Sequence, residues 1–307
     1  MNAKRVFDRA EEDFGNVLNM EHINLTVPDQ QVAALFYVSG LGFTRDPFID
    51  FGTFNMWINV GEQQFHLPKR DAQKFRGHIG VVVPDLDDLK RRLDFIDRPM
   101  QGTAFSREEK NDHIALSCPW GNDIRAYGPG FGTSLGIPFA SLDVPPDTAH
   151  GIVRFYEEIL DCRATVVDDG EGKRAEVAMG ANQRLIFAET DEEIPDYDGH
   201  HVAIYVSNFS NPHAALDERG LITEESDQHQ YRFQDIVDPD SGDVLTEIEH
   251  EVRSLKHPMF KRNLVNRNPA QSFMNYTQGH AAFVPGPVHP PRCSPAPASR
   301  QATPTTC

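Results

Sequence analysis

The sequence has few cysteines and few basic residues for its length. Its four cysteines are scattered over 307 residues without a Cys-x-x-Cys pair, so neither a disulfide framework nor a thiolate zinc site is expected. Lysine and arginine together number 29 against 46 acidic residues, which gives a net charge of −17. A phosphate backbone requires a basic surface on its partner. We therefore expect no nucleic-acid partner.

Long apolar runs are also missing. No segment approaches the ~18 to 20 apolar residues that a membrane helix needs, and the N-terminal stretch lacks the apolar core of a signal peptide. These absences predict a cytoplasmic protein without a membrane partner. A hydrophobic content of 39% is enough for real cores, and the length fits about two domains of roughly 150 residues each.

A short pattern recurs four times along the chain. The stretch HINLTVPD from His22 to Asp29 returns as HIGVVVPD from His78 to Asp85, and weaker copies begin at Phe139 and His201. Recurrence at a nearly constant spacing is typical of a duplicated supersecondary unit. Each copy is a predicted strand that leads into a predicted helix and further strands. The sequence therefore predicts four modules.

The repeated strand carries a histidine away from its helix. Side chains alternate between the two faces of a strand, so Ile23 and Val27 share the face that packs under the helix and His22 lies on the other face. The same alternation places His78 and His201 away from their helices. A single strand histidine is more often a core or surface residue than a ligand. Three of the four copies, however, begin this face of the strand with a histidine.

These motifs resemble those of the vicinal oxygen chelate superfamily, which includes glyoxalases, bleomycin-resistance proteins and extradiol dioxygenases. The resemblance covers roughly residues 18–250. It rests on the strands HINLTV and HIGVVV, the helix exits FYVSGLGF and FYEEILDC, and the turns PWGNDI and DPDSGDV. It implies an α+β fold of four βαβββ modules in two paired domains, with cupped mixed sheets and helices on the outer face.

The chain divides into five predicted segments. These are an N-terminal extension (1–17), a first domain of two modules (18–130), a second domain of two modules (136–252), a basic C-terminal extension (253–284) and a disordered tail (285–307). The tail is rich in Pro, Ser, Ala and Thr and cannot bury enough apolar area to offset its chain entropy. The C-terminal extension is expected either to wrap across the domain pair or to make a subunit contact, and a homodimer is compatible with the second.

The resemblance also implies a set of metal ligands, because in this superfamily they come from the first and last strands of each module. The positions that match are His22, His66, His78, His201 and Glu247. Glu249 lies on the same predicted strand face as Glu247 and is its rival. At the remaining matching positions, Phe139 and Ile186 are apolar. Arg125 has no lone pair to offer a metal, but it suits a substrate carboxylate, which it can bind through two hydrogen bonds.

The pairing of the modules decides which ligands meet. If neighbouring modules pair, His22, His66 and His78 form one site in the first domain. If modules one and four pair instead, His22 and His66 join His201 and Glu247, a set that contains the two histidines and one carboxylate expected for non-haem iron. Short connections usually keep consecutive units adjacent, so we expect neighbour pairing.

The resemblance implies a metal-dependent enzyme that acts on a small substrate with vicinal oxygens. Four modules in a chain of this length match the extradiol-type dioxygenases, which makes such an enzyme with Fe(II) the leading interpretation. Zinc, manganese and nickel suit the same ligands. One alternative is a glyoxalase-like lyase or isomerase that uses a divalent metal as a Lewis acid. Another is a protein that binds a small ligand without turnover, as resistance proteins do.

Overall fold

The structure, a computed structural model, describes residues 7–50, 52–131, 135–170, 172–262 and 264. The predicted disordered tail and most of the predicted C-terminal extension lie outside these residues. Within them, no helix combines the length and the apolar composition of a membrane span. The domain boundaries, the cytoplasmic location and the homodimer stay predictions.

Modules one and two each form a strand, a helix and three further strands, as the repeat predicts. Module one consists of β1 (Val17–Asn24), α1 (Gln30–Ala34), β2 (Thr44–Asp50), β3 (Asn55–Val60) and β4 (Gln63–Pro68). Helix α1 continues directly as a π-helical segment (Leu35–Gly40). Module two consists of β5 (Gly77–Val82), α2 (Leu86–Ile96), β6 (Ser106–Glu109), β7 (His113–Ser117) and β8 (Asp123–Tyr127).

Modules three and four repeat this order of elements. Module three consists of β9 (Gly136–Val144), α3 (Ala149–Glu158), β10 (Ala164–Asp168), β11 (Lys173–Ala178) and β12 (Arg184–Glu189). Module four consists of β13 (His201–Val206), α4 (Ser210–Glu218), β14 (Ile222–Asp227), β15 (Gln230–Val237) and β16 (Val244–Ser254). A short 3₁₀ turn (Ala10–Glu12) precedes the first module.

The repeated Val-Pro-Asp sequence marks the change from strand to helix. Oδ1 of Asp29 accepts hydrogen bonds from the backbone N–H groups of Gln31 (2.8 Å) and Val32 (3.0 Å). Asp85 caps α2 in the same way. Proline disfavours helical geometry in the residue before it, and an aspartate side chain satisfies the free N–H groups of the first helical turn. The motif therefore ends one element and starts the next.

The strands within the described residues form two eight-stranded mixed sheets. The first sheet has the order β14-β15-β16-β13-β1-β4-β3-β2 and contains modules one and four, whereas the second has the order β10-β11-β12-β9-β5-β8-β7-β6 and contains modules two and three. In the first sheet β1 pairs antiparallel with β13 and parallel with β4. The predicted α+β fold of paired modules is confirmed.

The expectation that neighbouring modules pair is wrong. Residues 69–76 connect β4 to β5 and carry the chain from the first sheet to the second. An extended segment spans up to ~3.3 Å per residue, so this connection is long enough to change layers. Modules one and two remain adjacent, as short connections require, but they touch through the π-helical continuation of α1 and through α2.

The helices lie between the two sheets. Helix α3 packs on β10, β11 and β12 and also contacts β15 of the first sheet, where the ring centroids of Phe155 and Phe233 are 5.9 Å apart. One hydrophobic cluster joins the helix-covered faces of both sheets. The opposite, helix-free faces carry small separate clusters around Trp57 in the first sheet and Phe139 in the second. We call these two faces the first cup and the second cup.

Candidate metal centre

Three histidines converge in the first cup. His22 on β1, His66 on β4 and His201 on β13 come from three adjacent strands, and their potential ligand nitrogens lie within 4.8 Å of one another. The Nε2 atom of each ring is buried and has no hydrogen-bond partner among the described residues. Buried polar atoms without partners are rare in proteins. Three of them in one place form a donor set that fits a divalent metal ion.

Strand register explains why these side chains meet. Asn24 pairs with His201 across the antiparallel β1–β13 ladder and with His66 across the parallel β1–β4 ladder. Neighbouring strands lie about 4.8 Å apart, so Asn24 stands between the two histidines. His22, two residues earlier, faces the same side. Pairing modules one and four therefore assembles the three rings.

A β-bulge in β1 adds a carboxylate beside His22. The register of β1 against β13 shifts between Met20 and His22, and an extra residue in one strand interrupts the alternation of side chains. Glu21 consequently faces its own neighbour, with Oε2 2.5 Å from Nδ1 of His22. A carboxylate on one ring nitrogen fixes the imidazole and leaves the other nitrogen free for a metal.

The other two rings are also held in place. Trp57 stacks on His66 with the ring centroids 4.0 Å apart. Oε1 of Glu249 lies 3.3 Å from Nδ1 of His201. Burial, reinforced by the neighbouring His22 ring, lowers the pKa of His66 and that of His201 well below the ordinary value. Both rings are therefore neutral at neutral pH, with a lone pair available for a metal.

A buried ionic network surrounds the triad. Arg253 contacts Glu21 at 3.0 Å and also contacts Glu251, while Arg232 lies 2.6 Å from Glu249 and 2.5 Å from Glu251. Burial alone would raise the pKa of Glu21, but the Arg253 guanidinium and the His22 ring outweigh it and hold this pKa at about 2. Three carboxylates thus face two guanidiniums. The remaining negative charge favours a cation among the imidazoles.

Comparisons with known proteins bear on the fold of the chain. No family model and no curated protein matches the chain. Among solved structures, glyoxalase I from Zea mays is similar with a TM-score of 0.57 at 16% identity, over 77% of this chain and 92% of that chain. A candidate dioxygenase from Bacillus subtilis is similar with a TM-score of 0.54 at 14% identity, over 84% of this chain and 89% of that chain.

The chain has the vicinal oxygen chelate fold. The resemblance predicted from the sequence is confirmed at this level.

Modules two and three place His78 and Arg125 in the second cup, away from the triad. His78 on β5 lies beside Phe139, with the ring centroids 5.7 Å apart. Burial, with a smaller contribution from Arg125, lowers the pKa of His78 to about 4. Arg125 is exposed on β8, where it pairs with Gly80 of β5. The expected grouping of His22, His66 and His78 in one site is therefore not what the structure shows.

Glu247 is also outside the triad, and its Oε1 accepts a hydrogen bond from Nε2 of Gln234 at 3.0 Å. The strand register of the repeated modules identifies a different residue as the counterpart of His66. The second residue after His22 pairs with His66, and the second residue after His201 pairs with Glu251. Oε2 of Glu251 lies 3.7 Å from Nε2 of His201. Counting from the preceding turn misses Glu251 because the β15–β16 ladder contains two register shifts.

An aromatic ring lies over β5 in the second cup. A Cβ atom on Gly80 would lie 2.4 Å from the ring of Phe139, which shows how closely that ring covers the strand. A cavity of about 760 Å³ lies alongside, between Phe139, Ile186 and Arg184. The described residues of this sheet form no group of metal donors. The two cups therefore have different chemistry.

Proposed function

We propose that this protein is a metal-dependent enzyme that acts on a small substrate through two adjacent oxygen atoms. The observation that supports it is the set of three buried, unpaired Nε2 atoms of His22, His66 and His201. Three neutral imidazoles suit iron, zinc, manganese or nickel. When bound, a divalent ion would act as a Lewis acid that polarises the two substrate oxygens.

The surrounding residues supply orientation and negative charge. Glu21 and Glu249 hold the rings of His22 and His201. Burial would raise the pKa of Glu251, but the charges of Arg253 and other neighbours outweigh it and lower the value. Glu251 is thus ionised beside the triad, with one oxygen held by Arg232 and the other by Arg253, and its negative charge would help to balance a divalent ion there. Three histidines whose neighbouring carboxylates are held elsewhere suit an ion that acts as a Lewis acid, which favours a glyoxalase-like lyase or isomerase.

An extradiol-type dioxygenase with Fe(II) is the second candidate. That chemistry is associated with two histidines and one carboxylate around iron. The observation that favours it is the position of Glu251, the register counterpart of His66, whose Oε2 is 3.7 Å from Nε2 of His201. In the structure Arg232 and Arg253 hold this carboxylate. The dioxygenase therefore requires Glu251 to leave both guanidiniums, whereas the lyase or isomerase does not.

The metal content of purified protein tests the proposal. Wild type and the variants His22→Ala, His66→Ala and His201→Ala are purified without air and analysed for all first-row metals. His78→Ala is the matched control, because His78 is a partly buried strand histidine in the other cup. We expect near-stoichiometric metal in wild type and in the control and a loss in the three other variants. Full metal in all of them would refute the site.

The identity of the metal separates the candidate functions. Iron together with dioxygen uptake in the presence of catechols would establish the dioxygenase. Zinc, nickel or manganese together with turnover of 2-oxoaldehyde–thiol adducts would establish the lyase or isomerase. A wild-type protein without metal that binds small ligands would instead establish the third reading, a binding protein.

A further inference from the structure

The chain after β16 turns back over the first cup. We call residues 255–262 the C-terminal strap. Its Met259 packs against the small cluster around Trp57, and its Phe260 lies with its ring centroid 4.9 Å from that of Tyr205. Just beyond the strap, the carbonyl oxygen of Leu264 accepts a hydrogen bond from Nδ2 of Asn59 at 3.2 Å. The described part of the predicted C-terminal extension therefore covers the face that holds the histidine triad.

The strap places a buried arginine against β4, the strand that carries His66. The Arg262 side chain is 1% exposed, and its Nη2 atom lies 2.6 Å from Oδ2 of Asp46 and 2.9 Å from Oε1 of Gln64. Gln64 is the strand partner of His22 and precedes His66 by two residues on the same face of β4. Gln64 therefore links the guanidinium to the part of the sheet that carries His22 and His66.

Asp46 cannot satisfy the rest of this guanidinium. Its Oδ1 accepts hydrogen bonds from the backbone N–H groups of Phe48 and Ile49, and its Oδ2 is shared between Gln64 and Arg262. The Nε and Nη1 atoms of Arg262 remain buried without an acceptor among the described residues. A buried charged donor without an acceptor is costly. These two hydrogen-bond donors of the strap can therefore bind an oxygen atom that the described residues do not provide.

We infer that Arg262 binds an anionic group of the substrate whose two adjacent oxygens occupy the histidine triad. This inference rests on the proposed function and narrows it to substrates with a carboxylate. Asp46 already balances most of the Arg262 charge, so a singly charged carboxylate fits this environment better than a doubly charged phosphate. The C-terminal strap would then select the substrate as well as cover the site.

Binding of matched ligands to the zinc-loaded full-length chain tests the inference. The ligands are 2-oxosuccinate, 2-oxoglutarate and 2-oxoadipate, each compared by calorimetry with the amide of its distal carboxyl group. The 2-oxo acid end offers adjacent oxygens to the metal, and the increasing length brings the distal group within reach of Arg262. We expect one diacid to bind roughly tenfold to hundredfold more tightly than its amide.

Variants of the strap assign this preference to one side chain. Arg262→Gln should remove the preference for the diacid while leaving the affinity for the amide and the zinc content unchanged. Arg262→Lys should retain part of the preference. Lys256→Gln, an exposed change in the same strap, is the control and should behave as wild type.

The possible failures are distinguishable. If wild type and Arg262→Gln both hold zinc and show the same ratio of diacid to amide affinity, Arg262 has no role and the metal site stands. If Arg262→Gln does not fold, wild type still decides, since equal affinity for diacid and amide at all three lengths would overturn the inference. If wild type holds no zinc or other metal, the proposed function fails and the inference fails with it.

Discussion

Replacing Glu21 by glutamine separates the charge of this residue from its shape. The carboxylate is buried, lies 2.5 Å from Nδ1 of His22 and contacts Arg253 at 3.0 Å. Glutamine keeps an oxygen that can accept a hydrogen bond from Nδ1. It removes the negative charge that makes the lone pair of Nε2 a stronger ligand for a metal. Substitution of such a partner of a metal ligand lowers metal affinity about 10- to 100-fold, which corresponds to about 1.4 to 2.8 kcal/mol. We expect the upper part of this range, because burial leaves the interaction unscreened.

The measurement is a competition for zinc between the protein and a chromophoric chelator, in wild type, Glu21→Gln and Glu62→Gln. Glu62 is exposed in the turn between β3 and β4, so its substitution should leave the zinc affinity unchanged. Urea unfolding of the metal-free proteins shows whether Glu21→Gln also loosens the fold around Arg253. If Glu21→Gln binds zinc within about twofold of wild type while folding normally, the carboxylate does not support His22 and the reasoning fails.

Two further predictions concern the parts of the fold away from the triad. Gly80→Ala should destabilise the protein by about 1 kcal/mol in urea unfolding, at the low end of overpacking costs, because a Cβ atom would meet the Phe139 ring at 2.4 Å and this ring borders a cavity into which it can move; the loss should shrink when Phe139→Leu is added, and an unchanged loss would argue against this contact. Burial lowers the pKa of His250 to about 4, while the unfolded chain takes up this proton near pH 6.5. The free energy of unfolding should therefore fall as the pH drops from 6.5 towards 4, by at most about 3 kcal/mol from this group. His250→Gln should flatten that decline, and an equally steep pH dependence in the variant would contradict it.

The module and its outward-facing histidines could be predicted from the sequence because both depend on local patterns. Alternating apolar residues fix which face of β1 packs under the helices, and this places His22 in the cup. The Val-Pro-Asp sequence recurs because each copy has the same local task, to end a strand and cap a helix. These features need no knowledge of what lies across the sheet.

The partner of β1 could not be predicted in this way. Its central position in an eight-stranded sheet requires a partner on each side, but the alternation of its side chains is equally compatible with β5 or β13. The rule that consecutive units stay adjacent is satisfied by helix contacts as well as by strand pairing. The candidate ligand set therefore contains His201 in place of His78, because β13 and not β5 pairs with β1.

Glu21 and Glu251 were missed for a different reason, which is that both depend on irregularities of strand register. Strict alternation assigns Glu21 to the helix-covered face, and only the bulge before His22 turns it into the cup. Counting from the last turn stops at Glu247, because the bulges in the β15–β16 ladder are not visible in the sequence. Arg262 gave no signal either, since the segment around it has no periodicity that fixes its position.

The pairing of modules one and four has a consequence for how the protein is made. The module that carries His22 and His66 is synthesised first, whereas the strand that carries His201 is synthesised only with the last module. Domains generally fold as units while the chain is being synthesised. The second sheet is built from consecutive modules and can therefore form before module four, the partner of module one, has been synthesised. Contacts between the two ends of a chain are slow to form because a long loop must close. A ribosomal product that stops before module four would therefore contain the strands of the second sheet and only two of the three histidines, so the proposed metal site would exist in finished chains alone.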